Sequence, residues 1–301
     1  MTLTELRYIV ALAQERHFGR AAARCFVSQP TLSFAVQRLE AELAVVLFER
    51  GKNVATLTSV GEKIVSQAQR ALEETERIKI IAQQGGDQLS GPLKLGVIPT
   101  VGPYILPSLI PILHRRAPAM PLEIEETITA NLEDLLTNGT LDAVVVALPF
   151  NIPGIVTEPL YDEPFKAIVP KGHFWEKRVS IKASELAGQN LLLLRAGHCF
   201  RGQVIEACPN LSQPETTLMQ GNSLETIRNM VASGLGMSVL PCSALTPKHE
   251  SALVVTLDFD RPVPCRRIVL AWRKSYTRPV AIQTLRASIA ALRISCLMIL
   301  N

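Results

Sequence analysis

The stretch Phe26-Val27-Ser28-Gln29-Pro30 limits the possible folds of this chain more than any other. Ser28 is suited to cap a helix, because its hydroxyl accepts from the free N–H groups of the first turn. Pro30 then sits where no N–H is needed. Downstream, Leu32, Val36, Leu39 and Leu43 recur at helical spacing, which predicts a helix from Gln29 to about Glu42. Upstream, Gly19 to Cys25 is rich in alanine and predicts a short helix. Leu3, Leu6, Ile9, Val10 and Ala13 predict another before it. Two helices joined by so short a turn make a helix-turn-helix, whose second helix enters the major groove of DNA. Leu47–Arg50 and Val54–Leu57 read as two strands of a wing around Gly51-Lys52-Asn53.

The 301-residue chain has room for further domains, and its 48% apolar content is enough to bury real cores. The net charge of +4 allows a nucleic-acid partner without demanding one. No apolar run is long enough for a membrane span, and the charged start has no signal-peptide core. Six scattered cysteines without a CxxC pair point away from a disulfide framework or a zinc site, so no metal is expected. The natural setting is a reducing cytoplasm.

Residues 59–87 predict one long helix. Ile64, Ala68, Ala71, Thr75, Ile78 and Ala82 follow a heptad-like seam with charged residues between them, and no apolar neighbour is evident for that seam. Pairing with the same helix of a second subunit is therefore expected. Ser90-Gly91-Pro92 forms a hinge. From residue 93 onward, strand patterns (93–97, 122–126, 143–147, 165–169, 191–194, 237–240, 268–272) alternate with helical ones (103–116, 131–136, 223–233, 278–294). That alternation predicts an α/β region with mostly parallel sheets. Ligands of such sheets bind beyond the carboxyl ends of strands.

One stretch carries candidate chemistry. In residues 197–208, Cys199 lies between His198 and Arg201 and opens a predicted helix that ends near Cys208. A thiol at a helix N-terminus beside cationic side chains gains thiolate character. Nine helical steps would hold the two cysteine Cα atoms roughly 13 Å apart, and a disulfide needs about 7 Å or less. The pair could close only if the helix unwinds. Thr100 and Thr129 each follow a strand, and Arg266 comes just before another. Singly, the threonines fit helix caps, His198 a core histidine and Arg266 an edge charge. Cys25, Cys242, Cys265 and Cys296 read as structural.

The first domain, through Phe18-Gly19-Arg20-Ala21-Ala22-Ala23, Val27–Ser33, Leu39-Glu40, Leu47–Arg50 and Leu57-Thr58 with Gly61, strongly resembles the winged helix-turn-helix of LysR-type transcriptional regulators. Ala44 stands where that family usually has glycine. Further segments, Gly96–Tyr104, Leu160–Pro164, Gly197–Gln203 with Cys208, and Ser223–Gly234, resemble the peroxide-sensing OxyR subfamily over essentially the full length.

The resemblance implies an α/β protein with an N-terminal winged helix-turn-helix (1–58), a dimerising linker helix (59–90) and a redox regulatory domain (91–301). That domain would have two α/β lobes of periplasmic-binding-protein type: lobe I, 91–162 and 267–301, and lobe II, 163–266. It implies DNA contacts from Gln29, Pro30, Thr31, Ser33 and Arg50, with backbone contacts from Arg20, Arg24 and Lys52. Cys199 and Cys208 would be the redox-active pair. Thr100, Thr129, His198 and Arg266 would bind peroxide, and Arg201 would either favour the thiolate or be a simple helix charge. Ile110 and Leu224 would lie at subunit contacts. The implied partners are double-stranded DNA with a near-palindromic operator, RNA polymerase, further copies forming a homodimer and homotetramer, hydrogen peroxide, and a glutaredoxin- or thioredoxin-type reductant. No cofactor is implied. Two other readings compete: a regulator binding a small organic anion in the interlobe cleft, and a thiol peroxidase enzyme, which the DNA-binding domain argues against.

Overall fold

The computed structural model describes residues 1–50, 55–82, 88–207, 220–246 and 251–300. Two units emerge: Met1–Gln88 with the short segments Thr137–Thr140 and Lys274–Pro279, and the rest of the chain.

In the first unit, α1 (Leu3–Glu15), α2 (Phe18–Arg24) and α3 (Gln29–Leu43) are followed by the antiparallel strands β1 (Phe48–Arg50) and β2 (Ala55–Leu57), then by α4 (Ser59–Ala82). Local chemistry explains the boundaries. Thr2 and Glu5 form a reciprocal capping box at α1. Ser28 accepts from the Thr31 N–H at α3, with Pro30 in its first turn. Leu6, Ile9, Leu12, Leu32, Val36, Leu39, Leu47 and Phe48 make one core. Ala68 of α4 joins that core, and Ile64, Val65, Ala71 and Leu72 pack against it. The early part of the heptad-like seam therefore has an apolar neighbour within the chain, chiefly α1, contrary to expectation. Ile78, further along, is exposed. The wing tip at 51–54, with Gly51-Lys52-Asn53, and residues 83–87 lie outside the described residues.

The second unit contains β3 (Leu93–Val97), α5 (Gly102–Arg116), β4 (Leu122–Glu126), α6 (Thr129–Thr137), β5 (Ala143–Ala147), β6 (Ile155–Pro170), β7 (Ser180–Ile181), β8 (Leu193–Leu194), α7 (Cys199–Ala207), β9 (Gln220–Gly221), α8 (Leu224–Ala232), β10 (Ser238–Pro241), β11 (Val254–Phe259), β12 (Cys265–Arg273), α9 (Pro279–Ala290) and β13 (Met298–Ile299). Among the described residues, the main sheet runs β4-β3-β5-β12-β6-β11-β7, with β10 and β13 also paired to β6.

The expected predominance of parallel pairing needs correction. Parallel pairs occur at β3/β4, β3/β5, β7/β11 and β8/β9, but every partner of β6 runs antiparallel to it. The reason lies in two long strands. The first half of β6 pairs β12 and its second half pairs β10 and β11. The chain thus runs out along β6 and returns along β12, and a returning neighbour must be antiparallel. The apolar alternation within 155–164 was too broken by charge and proline to predict the first half of β6. Helix α9 ends at Ala290, so Cys296 lies beyond it in a turn rather than on a helix.

Candidate functional site

Residues Ile98, Pro99, Thr100, Ile128, Thr129, His198 and Cys199 line one narrow pocket. Three local devices bring them together. Thr100 follows β3 at its carboxyl end, and Thr129 is the first residue of α6. Gly197 adopts φ +99°, a left-handed conformation that turns the chain from β8 into α7. Cys199 then opens α7. The next residue, Phe200, is buried and meets Phe165 edge-on at 5.0 Å between ring centres. That aromatic anchor fixes the first turn of the helix and the thiol before it.

The two threonines are not helix caps. The N-cap of α5 is Val101, which makes no side-chain cap bond. Thr100 Oγ1 instead accepts from Arg266 Nη1 at 2.8 Å, and its carbonyl oxygen accepts from Nη2 at 2.8 Å. The Thr129 hydroxyl is buried and has no hydrogen-bond partner among the described residues. A buried hydroxyl without a partner is costly, so it marks a place where a small polar molecule would be welcomed. Burial holds the His198 imidazole below the ordinary histidine range, which favours its neutral form.

Arg266 does not line the pocket; it stands behind Thr100. Its Nε donates to Glu163 Oε2 at 2.8 Å, both side chains are 0% exposed, and its guanidinium carbon lies 5.0 Å from the centre of the Phe200 ring. Glu163 was not singled out from the sequence, although it lies in Leu160–Pro164. It stands beside Asp162 in a run that charge and proline keep from reading as strand, so the sequence offers no signal that sets it apart. Arg201 is mostly buried and donates from Nη1 to the Leu194 carbonyl at 3.1 Å. Gln203 of α7 donates from Nε2 to the Leu148 carbonyl at 3.1 Å. Cys208 lies outside the described residues, immediately beyond α7.

On the helix-turn-helix, Gln29, Pro30 and Thr31 are exposed at the start of α3, and Ser33 is half-buried. Phe34 is 67% exposed beside them. Arg38, the sole cation of that helix, donates from Nε to Glu5 Oε1 at 2.7 Å. Arg24 Nη1 lies 3.0 Å from Glu15 Oε1, and Arg20 donates to the Glu15 carbonyl. Lys52 lies outside the described residues, as does the side chain of Arg50.

Residues 3–62 match the model of the bacterial regulatory helix-turn-helix protein, lysR family, and residues 86–293 match the LysR substrate binding domain. The chain belongs to the LysR family. Within it, the chain is 42% identical over 273 residues to the Escherichia coli protein named DNA-binding transcriptional dual regulator OxyR, covering 91% of this chain and 90% of that protein. It is 38% identical over 292 residues to a Streptomyces viridosporus protein named probable hydrogen peroxide-inducible genes activator, covering 96% and 93%. Among solved structures, full-length Pseudomonas aeruginosa OxyR with a cysteine-to-aspartate substitution is similar at a TM-score of 0.83 and 54% identity, over 97% of this chain and 95% of that one. A cysteine mutant of Corynebacterium glutamicum OxyR with hydrogen peroxide bound is similar at a TM-score of 0.65 and 34% identity, over 96% and 91%.

Three expectations need restating. Leu224 is only 2% exposed and packs in a buried cluster with Phe165, Phe200 and Ile227, because it opens α8 with its side chain turned inward. Ile110 on α5, by contrast, is 43% exposed. Cys242 and Cys296, read as structural thiols, are joined in a disulfide. Cys265 is exposed at the start of β12, so it fills no core position.

Proposed function

We propose that this chain is a DNA-binding transcriptional regulator that senses hydrogen peroxide through Cys199 and activates oxidative-stress genes. The single observation that carries this reading is the pocket in which the Cys199 thiol, the partnerless Thr129 hydroxyl, Thr100 and a neutral-leaning His198 meet. It is narrow, with two threonine hydroxyls set among the apolar Ile98, Pro99 and Ile128, which suits a small neutral molecule such as peroxide. The organic-anion alternative asks Arg266 to be a free cation in the cleft, but Glu163 already neutralises it.

The chemistry follows from these groups. The Cys199 thiolate attacks one peroxide oxygen, the O–O bond breaks, and hydroxide departs with a proton available from the pocket. Cys199 becomes a sulfenic acid. The Cys208 thiolate then attacks that sulfur, a second hydroxide leaves, and a Cys199–Cys208 disulfide forms. In total, two thiols and one peroxide give one disulfide and two waters. Closure would require α7 (Cys199–Ala207) to unwind. Helix α7 has nine residues with Gly202 near its middle, and so short a helix containing glycine has little stability of its own. Refolding there would shift subunits and the spacing of DNA-binding heads on a near-palindromic operator. The regulator would act as a homodimer or homotetramer in the cytoplasm, recruit RNA polymerase and be reset by a glutaredoxin- or thioredoxin-type reductant. No helix among the described residues is long and apolar enough to cross a membrane.

The test is to titrate the reduced full-length protein with hydrogen peroxide and to map disulfides by mass spectrometry. A Cys199–Cys208 bridge is expected at near-stoichiometric peroxide, and its absence removes the sensor reading. Continued rapid turnover with a thiol reductant would favour a peroxidase instead.

A further inference from the structure

Cys242 and Cys296 are bonded across 54 residues of chain, with Cα atoms 6.2 Å apart. Cys242 follows β10 in lobe II and opens a short 3-10 turn, Cys242–Leu245. Cys296 lies in the turn before β13, whose residues Met298 and Ile299 pair with Asp162 and Tyr161 of β6. The bond therefore joins lobe II to the C-terminal segment at the place where the chain passes between lobes. The N–H of the neighbouring Ser243 donates to Glu163 Oε1 at 3.2 Å. Glu163 holds Arg266, and Arg266 holds the Thr100 hydroxyl and carbonyl. Through the adjoining Ser243, the disulfide meets a chain of buried hydrogen bonds that ends in the Cys199 pocket.

We propose that Cys242 and Cys296 are a second redox couple of this protein, a clamp whose state sets how firmly Thr100 is held in the Cys199 pocket. Cys296 is half-buried while Cys242 is 2% exposed, so exchange starts at the outer sulfur. A small-molecule thiolate attacks Cys296 Sγ, the S–S bond breaks, and the Cys242 thiolate leaves and takes a proton. A second small thiolate attacks the mixed disulfide, Cys296 departs and is protonated, and the reductant is left as its own disulfide. Two electrons and two protons enter the protein. Hydrogen peroxide reverses the change. One thiolate takes an oxygen and releases hydroxide, the other displaces it from the sulfenic acid, and two waters result from two thiols and one peroxide. In the open form the Ser243 N–H is no longer pinned beside Glu163, and the buried ion pair loses one of its fixed partners. Buried networks weaken as a whole when one member is loosened. The influence on sensing rests on the reading of Cys199 as the peroxide thiol; the existence of the couple does not.

The experiment uses the full-length chain equilibrated in glutathione buffers from oxidising to reducing, followed by differential alkylation and peptide mapping. Cys242 and Cys296 are expected to titrate together in one two-electron step, and equally so in the Cys199→Ser chain. Amide hydrogen exchange across 98–102 is expected to be at least threefold faster with the clamp reduced, and likewise in a Cys242→Ala/Cys296→Ala chain. The rate of Cys199 oxidation by peroxide should fall by a similar factor. A pair that never bonds, or exchange across 98–102 that is the same in both states, overturns the proposal. If exchange responds while Cys199 ignores peroxide in both states, the clamp stands and the sensor reading falls.

Discussion

Arg266 grips Thr100 twice, through Nη1 on the hydroxyl oxygen at 2.8 Å and through Nη2 on the carbonyl oxygen at 2.8 Å. The same guanidinium neutralises Glu163, and neither side chain reaches solvent. A buried pair of this kind adds little net stability, but removing one member strands the other. Arg266→Ala should therefore cost about 3–5 kcal/mol of unfolding free energy, measured by urea denaturation. Arg266→Met combined with Glu163→Gln should recover much of that loss. Arg266→Lys keeps the charge but not the directed fork of donors. It should slow Cys199 oxidation about tenfold, which corresponds to about 1.4 kcal/mol in the barrier, with a smaller effect on folding.

Thr129 gives the opposite pattern. Its hydroxyl is buried without a partner among the described residues, so replacing it with an apolar group of the same shape is close to neutral or stabilising for the fold. Thr129→Val should leave the melting temperature unchanged or raised. Cys199 oxidation, followed by stopped flow, should slow about tenfold if this hydroxyl meets the peroxide. Loss of stability without loss of rate would contradict this assignment.

His198 makes stability depend on pH. Burial lowers its pKa, and burial does the same at His173. Between the folded values and about 6.5, the unfolded chain holds more protons than the folded one. Their contribution is complete above that window and declines as pH falls through it. The melting temperature should drop between pH 7 and 5.5, and His198→Gln should make the drop shallower. The lowered carboxyls of Glu5 and Asp162 act only at more acidic pH, below their ordinary value near 4. An unchanged slope in the variant would remove His198 from this role.

Arg38 is engaged by Glu5, which is itself nearly buried. Burial alone would raise the Glu5 pKa, but hydrogen bonds from Arg38 and Thr2 outweigh it and hold the carboxyl below its usual range. Arg38→Ala should lower the melting temperature by several degrees and weaken DNA binding through the displaced helix. The slope of log affinity against log salt should stay the same, because no phosphate contact is lost. A slope reduced by about one would identify a direct phosphate contact instead.

Ala44 caps α3 with φ 55°. A left-handed alanine is disfavoured by roughly 1–2 kcal/mol, and glycine is not, although glycine gains unfolded-state entropy of about 0.5–1 kcal/mol. Ala44→Gly should stabilise the protein by about 0.5–1 kcal/mol, read as a higher urea midpoint at constant slope.

The three helices of the DNA-binding head were legible from local signals: apolar residues at helical spacing in α1 and α3, alanine content in α2, and Ser28 with Pro30 at the start of α3. The strands β3, β4 and β5 were also read at their observed limits, because each is a short continuous run between turns. The first half of β6 and all of β11 were missed, since Glu158, Pro159, Asp162, Glu163 and Asp258 break the apolar alternation. Those charges are satisfied by partners far along the chain, such as Arg267 for Asp162 and Lys166 for Asp258.

By itself, the sequence determined the helix-turn-helix, the alternation of strands and helices, and the thiol at the start of α7, because these depend on neighbours a few residues apart. Tertiary structure decided which distant groups meet. It placed Arg266 behind Thr100 rather than in the pocket, turned Leu224 into its own core, committed Arg38 to Glu5, and joined Cys242 to Cys296. Each of these relationships spans at least one change of element. Burial, charge pairing and bond formation between such residues follow from packing, which local spacing does not encode.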